Sequence, residues 1–419
     1  MLDLVFKKQK NRNKPTQKIL LTLFILFVFR FGNTIPLFGI DQEALRKSFL
    51  QLENKNAIMQ IINMYSGGGT NILTPFSLGI IPFINASILI DLLTALFPSL
   101  EKLQSEEGEA GRKKLVFYKK IVSLIFSIIQ TGFLIFYLKP YFYNTNVINL
   151  INIGLELVTG SMIIIWLSNL IDTKGIGNGT SLIILTNIIV TLISKNLFLN
   201  NQFDNLFIPQ IFFLLFLMIL ICISQTARIN IDVVSARQLA FLESADKSNL
   251  NNKNLNSVQI KENGLSIRLN QAGIFPIIIA SNIIPFTSFL TQNFIQDFRY
   301  LNTFIYYLLI ISFNYFYTIV FWDPEKISEQ LRKASVSIVN ITPGKETISY
   351  LENVVRSTSI IGGMFLCFIL FFYDFMKQFL NGYLLNQINI SSLIIVVGVA
   401  YEIQKTIRSL YKNSFEDIT

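Results

Sequence analysis

The side chains that carry acid–base, nucleophilic or metal chemistry are scarce in the apolar segments of this sequence. The chain has no histidine, and its two cysteines, Cys222 and Cys367, both fall inside apolar runs. Without histidine, neither a Ser–His nor a Cys–His nucleophile can be assembled, and a transition-metal site lacks its usual ligands. The sequence therefore predicts no metal, no cofactor and no enzymatic activity. We interpret the cysteines as packing residues rather than as a disulfide.

The carboxylates of the apolar segments lie near the segment ends. They are Asp91, Glu156, Asp232, Asp374 and Glu402. An ion-coupled transporter usually keeps ionisable groups deep in its membrane spans. The pattern therefore argues against a secondary transporter with broken helices, which is the alternative reading. A purely structural scaffold is a second alternative.

Composition places the chain among multi-pass membrane proteins. Of its 419 residues, 52% are apolar and 15% are charged, and mean hydropathy is +0.50. Soluble proteins carry about 25% charged residues. Apolar runs of about 20 residues, enough to cross a bilayer as a helix, recur along the chain. They predict ten spans, at residues 19–37, 75–97, 115–138, 153–170, 180–194, 206–224, 271–290, 301–322, 358–376 and 390–405.

The basic residues predict the orientation of these spans. If both termini are cytosolic, most of the 35 lysines and arginines fall in cytosolic segments, as the positive-inside rule requires. The exceptions are Arg30, Arg46, Lys47, Lys55, Lys139, Lys195, Arg299 and Lys377. The layout then has a basic N-terminus (1–18), an N-terminal half (19–200), a C-terminal half (201–410) and a cytosolic tail (411–419).

The stretch from residue 57 to residue 98 is the most unusual in the chain. Three glycines, Gly67, Gly68 and Gly69, separate a half-length apolar segment from the full-length span 75–97. Irregular backbone at membrane depth is tolerated only where protein or a water-filled cavity surrounds it. The stretch therefore predicts a short re-entrant half-helix, a flexible glycine hinge and a pathway through the membrane.

The same stretch resembles a known family. NMYSGGGTNILTPFSLGIIPFINASILIDLLTALFP is similar to the plug and second transmembrane segment of the SecY family of protein-conducting channels. The resemblance continues in the family's order through EEGEAGRKK, IGNGTS, LNQAGIFPIIIAS, FYTIVFWDPEKISEQLRKAS, ITPGKET and SSLIIVVGVA. It covers nearly the whole chain and is weakest at residues 145–155 and 242–267.

The resemblance implies an all-α fold and a transport function. The fold would have ten transmembrane helices in two inverted five-helix halves, with a re-entrant plug half-helix at about residues 57–71. The chain would be the channel subunit of a Sec translocon. It would move unfolded preproteins across the membrane and release their transmembrane segments sideways into lipid.

The resemblance also assigns roles to residues of the channel. The family's pore ring maps onto Ile80, Ile84, Thr180, Ile184, Ile278 and Ile395, with threonine at 180 where an aliphatic residue is usual. A ring of branched apolar side chains blocks ions by dewetting. The lateral gate between spans 2 and 7 maps onto Asn85, Asn282 and Phe286, and the plug hinge onto the three glycines. Taken alone, an isoleucine in a span is more often a lipid-facing or core residue.

Two long loops, after spans 6 and 8, are interpreted as a docking platform for a cytosolic motor or a ribosome. Their candidate contact residues are Arg228, Arg237, Arg332, Lys333 and Lys345. Thr342 stands where many bacterial relatives have an arginine before Pro-Gly. The alternative explanation is that these charges only satisfy the positive-inside rule.

The partners follow from the resemblance alone. It implies a SecE-type small subunit, a SecG-type subunit as a further candidate, the SecA motor ATPase, the ribosome, preprotein signal sequences and membrane lipid. A plastid thylakoid membrane is favoured over a bacterial plasma membrane because of the length, the amino-acid composition typical of an AT-rich genome and the thin docking loops.

Overall fold

A computed structural model describes most of the chain. The described residues are 15–45, 47, 73–105, 108–194, 207–235, 264–273, 275–280, 299–339, 341–380, 385, 388 and 390–416. The predicted plug, at 57–71, therefore lies outside the described residues.

The described chain is mainly helical, with one small sheet. The helices are α1 (Pro15–Gly32), α2 (Ile81–Leu96), α3 (Pro98–Ser105), α4 (Gly108–Leu138), α5 (Val147–Lys174), α6 (Gly179–Ser194), α7 (Phe207–Thr226), α8 (Arg299–Phe321), α9 (Pro324–Lys333), α10 (Lys345–Leu380) and α11 (Ile390–Glu416). The strands are β1 (Arg228–Ser235), β2 (Gly264–Arg268) and β3 (Val336–Ile338).

Each of the ten predicted spans contains a helix in the part of the chain that the structure describes. In the described part of the chain, six helices are long and apolar enough to cross a membrane, namely α4, α5, α7, α8, α10 and α11. The shorter apolar helices α2 and α6 match two further predicted spans, and α1 matches the first. The predicted span 271–290 is helical over the described residues 275–280.

Several predicted boundaries differ from the helices, and two of these differences bear on the candidate site. The chain from Pro75 to Ile80 forms consecutive turns, and α2 begins only at Ile81. Gly79 has a φ of +59°, a conformation outside the right-handed helix, and the proline at position 82 suits a first helical turn because it has no N–H to leave unpaired.

The second error concerns the loop predicted at 323–357. Its residues 324–333 form α9, and α10 begins at Lys345, well before the predicted start at 358. Thr347, Leu351 and Val355 are buried at every fourth position of α10, so this first part of the helix has an amphipathic face. The periodic apolar positions were present in the sequence, but residues 345–357 as a whole are too polar to be predicted as a membrane span.

The chain divides into two compact units, residues 1–210 with 380–419, and residues 211–379. In the first unit, α4 packs against α2 and α5, α5 packs against α1 and α6, and α6 packs against α11. The predicted division into halves at residue 200 stays a prediction.

The turns before α2 are buried against α5. Gly160 of α5 lies so close to Pro75 that a Cβ at position 160 would overlap the Pro75 carbonyl. Phe76 stacks on Phe29 of α1, with ring centroids 6.0 Å apart. A cluster of buried apolar side chains surrounds the same region, namely Leu37, Ile40, Leu45, Leu73, Leu78, Leu138, Phe142, Ile153 and Leu157.

In the second unit, the three strands form an antiparallel sheet in the order β2-β1-β3. The sheet joins both long loops, because β1 and β2 come from the loop after α7 and β3 from the loop after α8. Helices α8 and α10 are linked by Asn314, whose side-chain amide donates to the Ser359 carbonyl at 2.6 Å.

We expect Gly160→Ala to destabilise the folded protein by about 2 kcal/mol, because the added methyl group has to displace the Pro75 backbone. The measurement is the thermal unfolding midpoint of the detergent-solubilised complex. Gly132→Ala is the matched control, since a Cβ at position 132 on α4 meets no atom within 4 Å. Equal midpoints for the two variants would contradict the close contact.

Candidate functional site

Two residues of the predicted pore ring lie where the chain enters α2. Ile80 directly precedes the helix and is 2% exposed, and Ile84 lies in the first turn and is 5% exposed. The Ile84 amide donates to the Ile80 carbonyl at 3.1 Å, which places the two side chains one turn apart. The predicted spacing is therefore present, with Ile80 ahead of the helix rather than inside it.

Thr180 has a local structural role at the start of α6. Its hydroxyl and its amide both donate to the side-chain oxygen of Asn178, at 2.5 and 3.0 Å. The Gly179 amide donates to the Asp172 carboxylate at 2.7 Å. These bonds satisfy N–H groups that the first turn of a helix leaves unpaired. The structure therefore gives the Thr180 hydroxyl a hydrogen bond to the capping residue Asn178, and the contribution of Thr180 to a pore ring stays a prediction.

The other predicted ring residues are buried apolar side chains. Ile184 lies on α6, and Ile395 lies on α11, which packs against α6 in the same unit. Ile278 belongs to the second unit and is 5% exposed. Burial agrees with a closed apolar seal and equally with an ordinary core, so the ring remains a prediction.

Parts of the predicted channel lie outside the described residues. These are the hinge Gly67, Gly68 and Gly69, and the gate residues Asn282 and Phe286. Asn85, the remaining gate residue, lies half-buried on α2.

The two long loops form one structure, which we call the sheet platform. It consists of β1, β2, β3, α9 and the first turns of α10. Ile231 and Ile267 from the first loop and Ile338 and Leu351 from the second form its buried core. At 25 cal/mol per Å², each such side chain contributes roughly 1.5–3 kcal/mol by burial, so the two loops stabilise each other.

Exposed basic residues surround this core. Arg228 begins β1 and is opposite Arg268 of β2 in the register. Arg332 and Lys333 lie in the last turn of α9, and Lys345 is the first residue of α10. All four of the predicted docking residues that are described are exposed. The fifth, Arg237, lies outside the described residues.

Both ends of α9 are held by local side-chain contacts. Asp323 caps the helix by accepting from the Glu325 amide at 3.1 Å. Lys333 pairs with Glu329 one turn earlier, at 3.0 Å. Basic groups are favoured in the last turn of a helix because the helix dipole is negative there. Arg332 and Lys333 therefore point from a fixed helix and not from a loose loop.

Thr342 also has a local structural explanation. Its hydroxyl donates to the Glu346 carboxylate at 2.7 Å, and its carbonyl accepts from the Thr347 hydroxyl at 2.9 Å. Together these bonds hold the turn that leads into α10. Threonine at this position therefore secures the platform instead of adding a charge to it.

Sequence reasoning missed the sheet that unites the two loops. The signal was present as alternation: Ile229, Ile231 and Val233 in β1, and Leu265 and Ile267 in β2. Alternation over so few residues is a weak signal by itself. The pairing of β1 with β3 is distant in sequence, and no local pattern indicates it.

Two of the carboxylates noted in the sequence have partners within their own unit. Asp91 of α2 forms a salt bridge with Lys119 of α4 at 2.8 Å. Asp374 of α10 accepts from the Tyr307 hydroxyl of α8 at 3.2 Å. Asp232 lies on β1, outside the predicted spans. These contacts give Asp91 and Asp374 roles in joining neighbouring helices.

Comparison with known proteins identifies the family. The SecY family model matches residues 74–404. A protein translocase subunit SecY from Pyropia yezoensis is 38% identical over 416 residues, covering 94% of this chain and 95% of the relative. The corresponding protein of Synechocystis is 33% identical, with coverage of 94% and 91%.

Solved structures show the same fold. A protein-conducting channel superposes with a TM-score of 0.63 at 14% identity, covering 94% of this chain and 92% of that chain. A SecY structure concerned with how the plug domain stabilises the closed translocation channel gives 0.59 at 14% identity, with the same coverage. Sec61 in a canine ribosome–channel complex gives 0.57 at 14% identity, again with that coverage. This chain therefore shares the fold of these channels, and the family match over residues 74–404 shows that it belongs to the SecY family.

Proposed function

We propose that this chain is the protein-conducting channel subunit of a Sec translocon. It moves unfolded preproteins across the membrane and releases transmembrane segments sideways into lipid. The observation that carries the proposal is the buried, non-helical entry into α2, at residues 75–80. Irregular backbone at membrane depth belongs next to a pathway or inside protein, and here it leads directly to Ile80 and Ile84.

The apolar character of the proposed pathway suits this cargo. Ile80, Ile84, Ile184 and Ile395 offer branched apolar side chains with no polar group for a passing chain to bind. A narrow apolar constriction excludes ions by dewetting, yet it can widen around a polypeptide without breaking specific bonds. The secondary-transporter alternative requires an ionisable site that changes partners, whereas Asp91 and Asp374 have fixed neighbours.

The partners are proposed from the relatives and from the surface. A ribosome is present in the canine complex to which the fold is similar, and the sheet platform has the exposed basic charge that ribosomal RNA or an acidic motor surface attracts. A SecE-type subunit, a SecG-type subunit and a SecA motor complete the proposed assembly. The energy for transport comes from the motor or from translation, and the chain itself is not an enzyme.

The chain is a multi-pass membrane protein, and a plastid thylakoid membrane is its proposed location. The algal relative is the more similar of the two compared, at 38% against 33% for the cyanobacterial one. Detecting the protein in isolated thylakoids with a specific antibody tests this placement.

We expect Ile395→Asn to raise the ion conductance of the closed channel severalfold, because a polar side chain in the constriction favours wetting. The measurement is conductance of the reconstituted complex in planar bilayers, together with export of a client whose signal sequence is defective. Ile278→Asn should act in the same direction.

Ile189→Asn is the control for this substitution. This variant places the same polar group on α6, at a residue that is 41% exposed and does not belong to the predicted pore ring. If Ile395→Asn and Ile278→Asn leave the channel as tight as the parent, these residues do not line the pore.

We expect Arg332→Glu, Lys333→Glu and Lys345→Glu together to abolish motor-stimulated transport while the complex still assembles. The three residues are exposed on the sheet platform, so the fold loses little, whereas an acidic partner is repelled. Transport by proteoliposomes should be measured over a range of salt concentrations, because exposed charge contacts weaken with ionic strength.

The matched control reverses Lys102, Arg112 and Lys113, which are exposed on α3 and α4 outside the platform. The change in net charge is identical, and the predicted side of the membrane is the same. If both triple variants lose transport equally, the loss reflects total charge and the platform is not the docking surface.

A further inference from the structure

The Thr22 side chain of α1 is hydrogen-bonded to the turn between α5 and α6. Its hydroxyl accepts from the Ile176 amide at 3.1 Å and donates to the Lys18 carbonyl of its own helix at 2.8 Å. Thr22 and Ile176 are both buried. A buried backbone N–H needs a partner, and Thr22 supplies one to Ile176 from a distant part of the sequence. The hydroxyl therefore attaches the turn to α1.

The turn approaches α1 closely because Gly175 has no side chain. A Cβ at position 175 would lie 2.7 Å from the Thr22 hydroxyl oxygen and 2.8 Å from the Ile171 carbonyl oxygen. The Gly175 amide donates to that same carbonyl at 2.7 Å, which satisfies one of the last carbonyl groups of α5. Gly177 has a φ of +80°, a conformation that glycine adopts readily. The glycines of the turn thus give it a shape that fits against Thr22.

The other end of the turn is fixed to the start of α6. Asn178 accepts from the Thr180 amide through its side-chain oxygen at 3.0 Å, and its carbonyl accepts from the Leu182 amide at 3.0 Å. Gly179 lies so close to Ser168 of α5 that a Cβ at position 179 would overlap the Ser168 carbonyl. A displacement of the turn therefore has to be shared by the first turn of α6.

Helix α6 connects the turn to the proposed pathway. Ile183, Ile184 and Ile188 are buried on α6, which packs against α5 and α11 in the same unit. Ile184 is the predicted ring residue of this helix, which begins at Gly179. With a rise of about 1.5 Å per residue, Ile184 lies about 7.5 Å along the helix axis from Gly179. Little more than one helical turn thus separates Ile184 from the turn that Thr22 holds.

We propose that Thr22 is a positioning residue that holds the α5–α6 turn against α1 and thereby keeps Ile184 in the closed constriction. This inference rests on the proposed function, in which Ile184 belongs to the apolar seal. Without the hydroxyl, the Ile176 amide is buried and unpaired, which costs more than an ordinary hydrogen bond contributes. The turn then moves to where water reaches the amide, and the start of α6 moves with it.

The test uses the full-length chain in its reconstituted complex. Thr22→Val keeps the branched side chain but removes the hydroxyl. It should raise the closed-channel conductance in planar bilayers about fivefold, because the closed arrangement loses one hydrogen bond. Thr22→Ala removes the hydroxyl without placing a methyl group against the Ile176 amide, so it serves where the valine variant fails to fold. Its conductance should rise in the same direction.

Two further variants are the controls. Thr22→Ser keeps the hydroxyl and should have the parental conductance. Thr173→Val is the matched substitution, because Thr173 is exposed on α5 and its hydroxyl donates to the Asn169 carbonyl of the same helix at 2.9 Å. Its conductance should also equal that of the parent. An equal rise in Thr22→Ser or in Thr173→Val would overturn the role of the Thr22 hydroxyl.

Hydrogen exchange separates positioning from a purely structural role. Exchange of the Ile176 amide should accelerate in Thr22→Val, while exchange within α4 stays at the parental rate. Unchanged exchange at Ile176 would show that the hydroxyl does not protect the turn, and the inference would fail. If exchange at Ile176 accelerates and conductance stays at the parental value, Thr22 has only a structural role and the inference is again refuted.

Ile184→Asn separates this inference from the proposed function. If Ile184→Asn raises conductance and Thr22→Val does not, the seal stands and the role of Thr22 is refuted. If both raise it and the double variant conducts no more than Ile184→Asn alone, Thr22 acts through Ile184, as inferred. If the two effects multiply in full, Thr22 acts elsewhere and the inference fails. If Ile184→Asn leaves conductance unchanged, the place of Ile184 in the seal is refuted, and this inference falls with it.

Discussion

Backbone N–H and C=O groups inside a bilayer must find partners within the protein, and this constraint is most demanding where the chain crosses without being helical. We expect residues 75–80 to be such a place, because they begin the predicted span 75–97 and are not helical. The Leu73 backbone is paired by Gln42 and Leu37, Thr74 by Ser77, and Gly79 donates to the Phe76 carbonyl at 2.9 Å. These bonds are local or come from the adjacent loop, and they pair several of the backbone groups that precede the late start of α2.

The packing around this entry follows from the same constraint. The turns at residues 75–80 pack closely against the neighbouring helices, which have to leave room for them. Gly160 provides that room on α5, and Phe29 of α1 closes the other side by stacking on Phe76. In the second unit, Gly363 similarly allows α10 to approach Asn314 of α8. Small residues at such crossings are typical of membrane helices, which have little hydrophobic drive to associate.

The sequence predicted the helical spans well, because apolar runs of membrane length are a strong and local signal. The sequence prediction started α2 too early, because Gly79 ends the turns before the helix without changing the overall hydropathy. It started α10 too late, because the amphipathic first part of that helix, up to Val355, is not apolar overall. The resemblance supplied Thr180 and Thr342 as departures, but only the structure shows their hydrogen bonds, from Thr180 to Asn178 and between Thr342 and the start of α10. The sheet could not be foreseen, because Val233 of β1 pairs with Ile338 of β3 across a long separation in sequence.

That long separation sets an order on the assembly of the newly made chain. Strand β1 is synthesised roughly a hundred residues before β3, and contacts of such high sequence separation form late. Until the segment after α8 has emerged, Ile231 and Ile267 have no Ile338 or Leu351 to cover them. The sheet platform is therefore completed only after α8 has been made. A truncated chain that ends before residue 336 exposes an apolar surface, and a quality-control protease could distinguish the truncated chain from the finished protein by that surface.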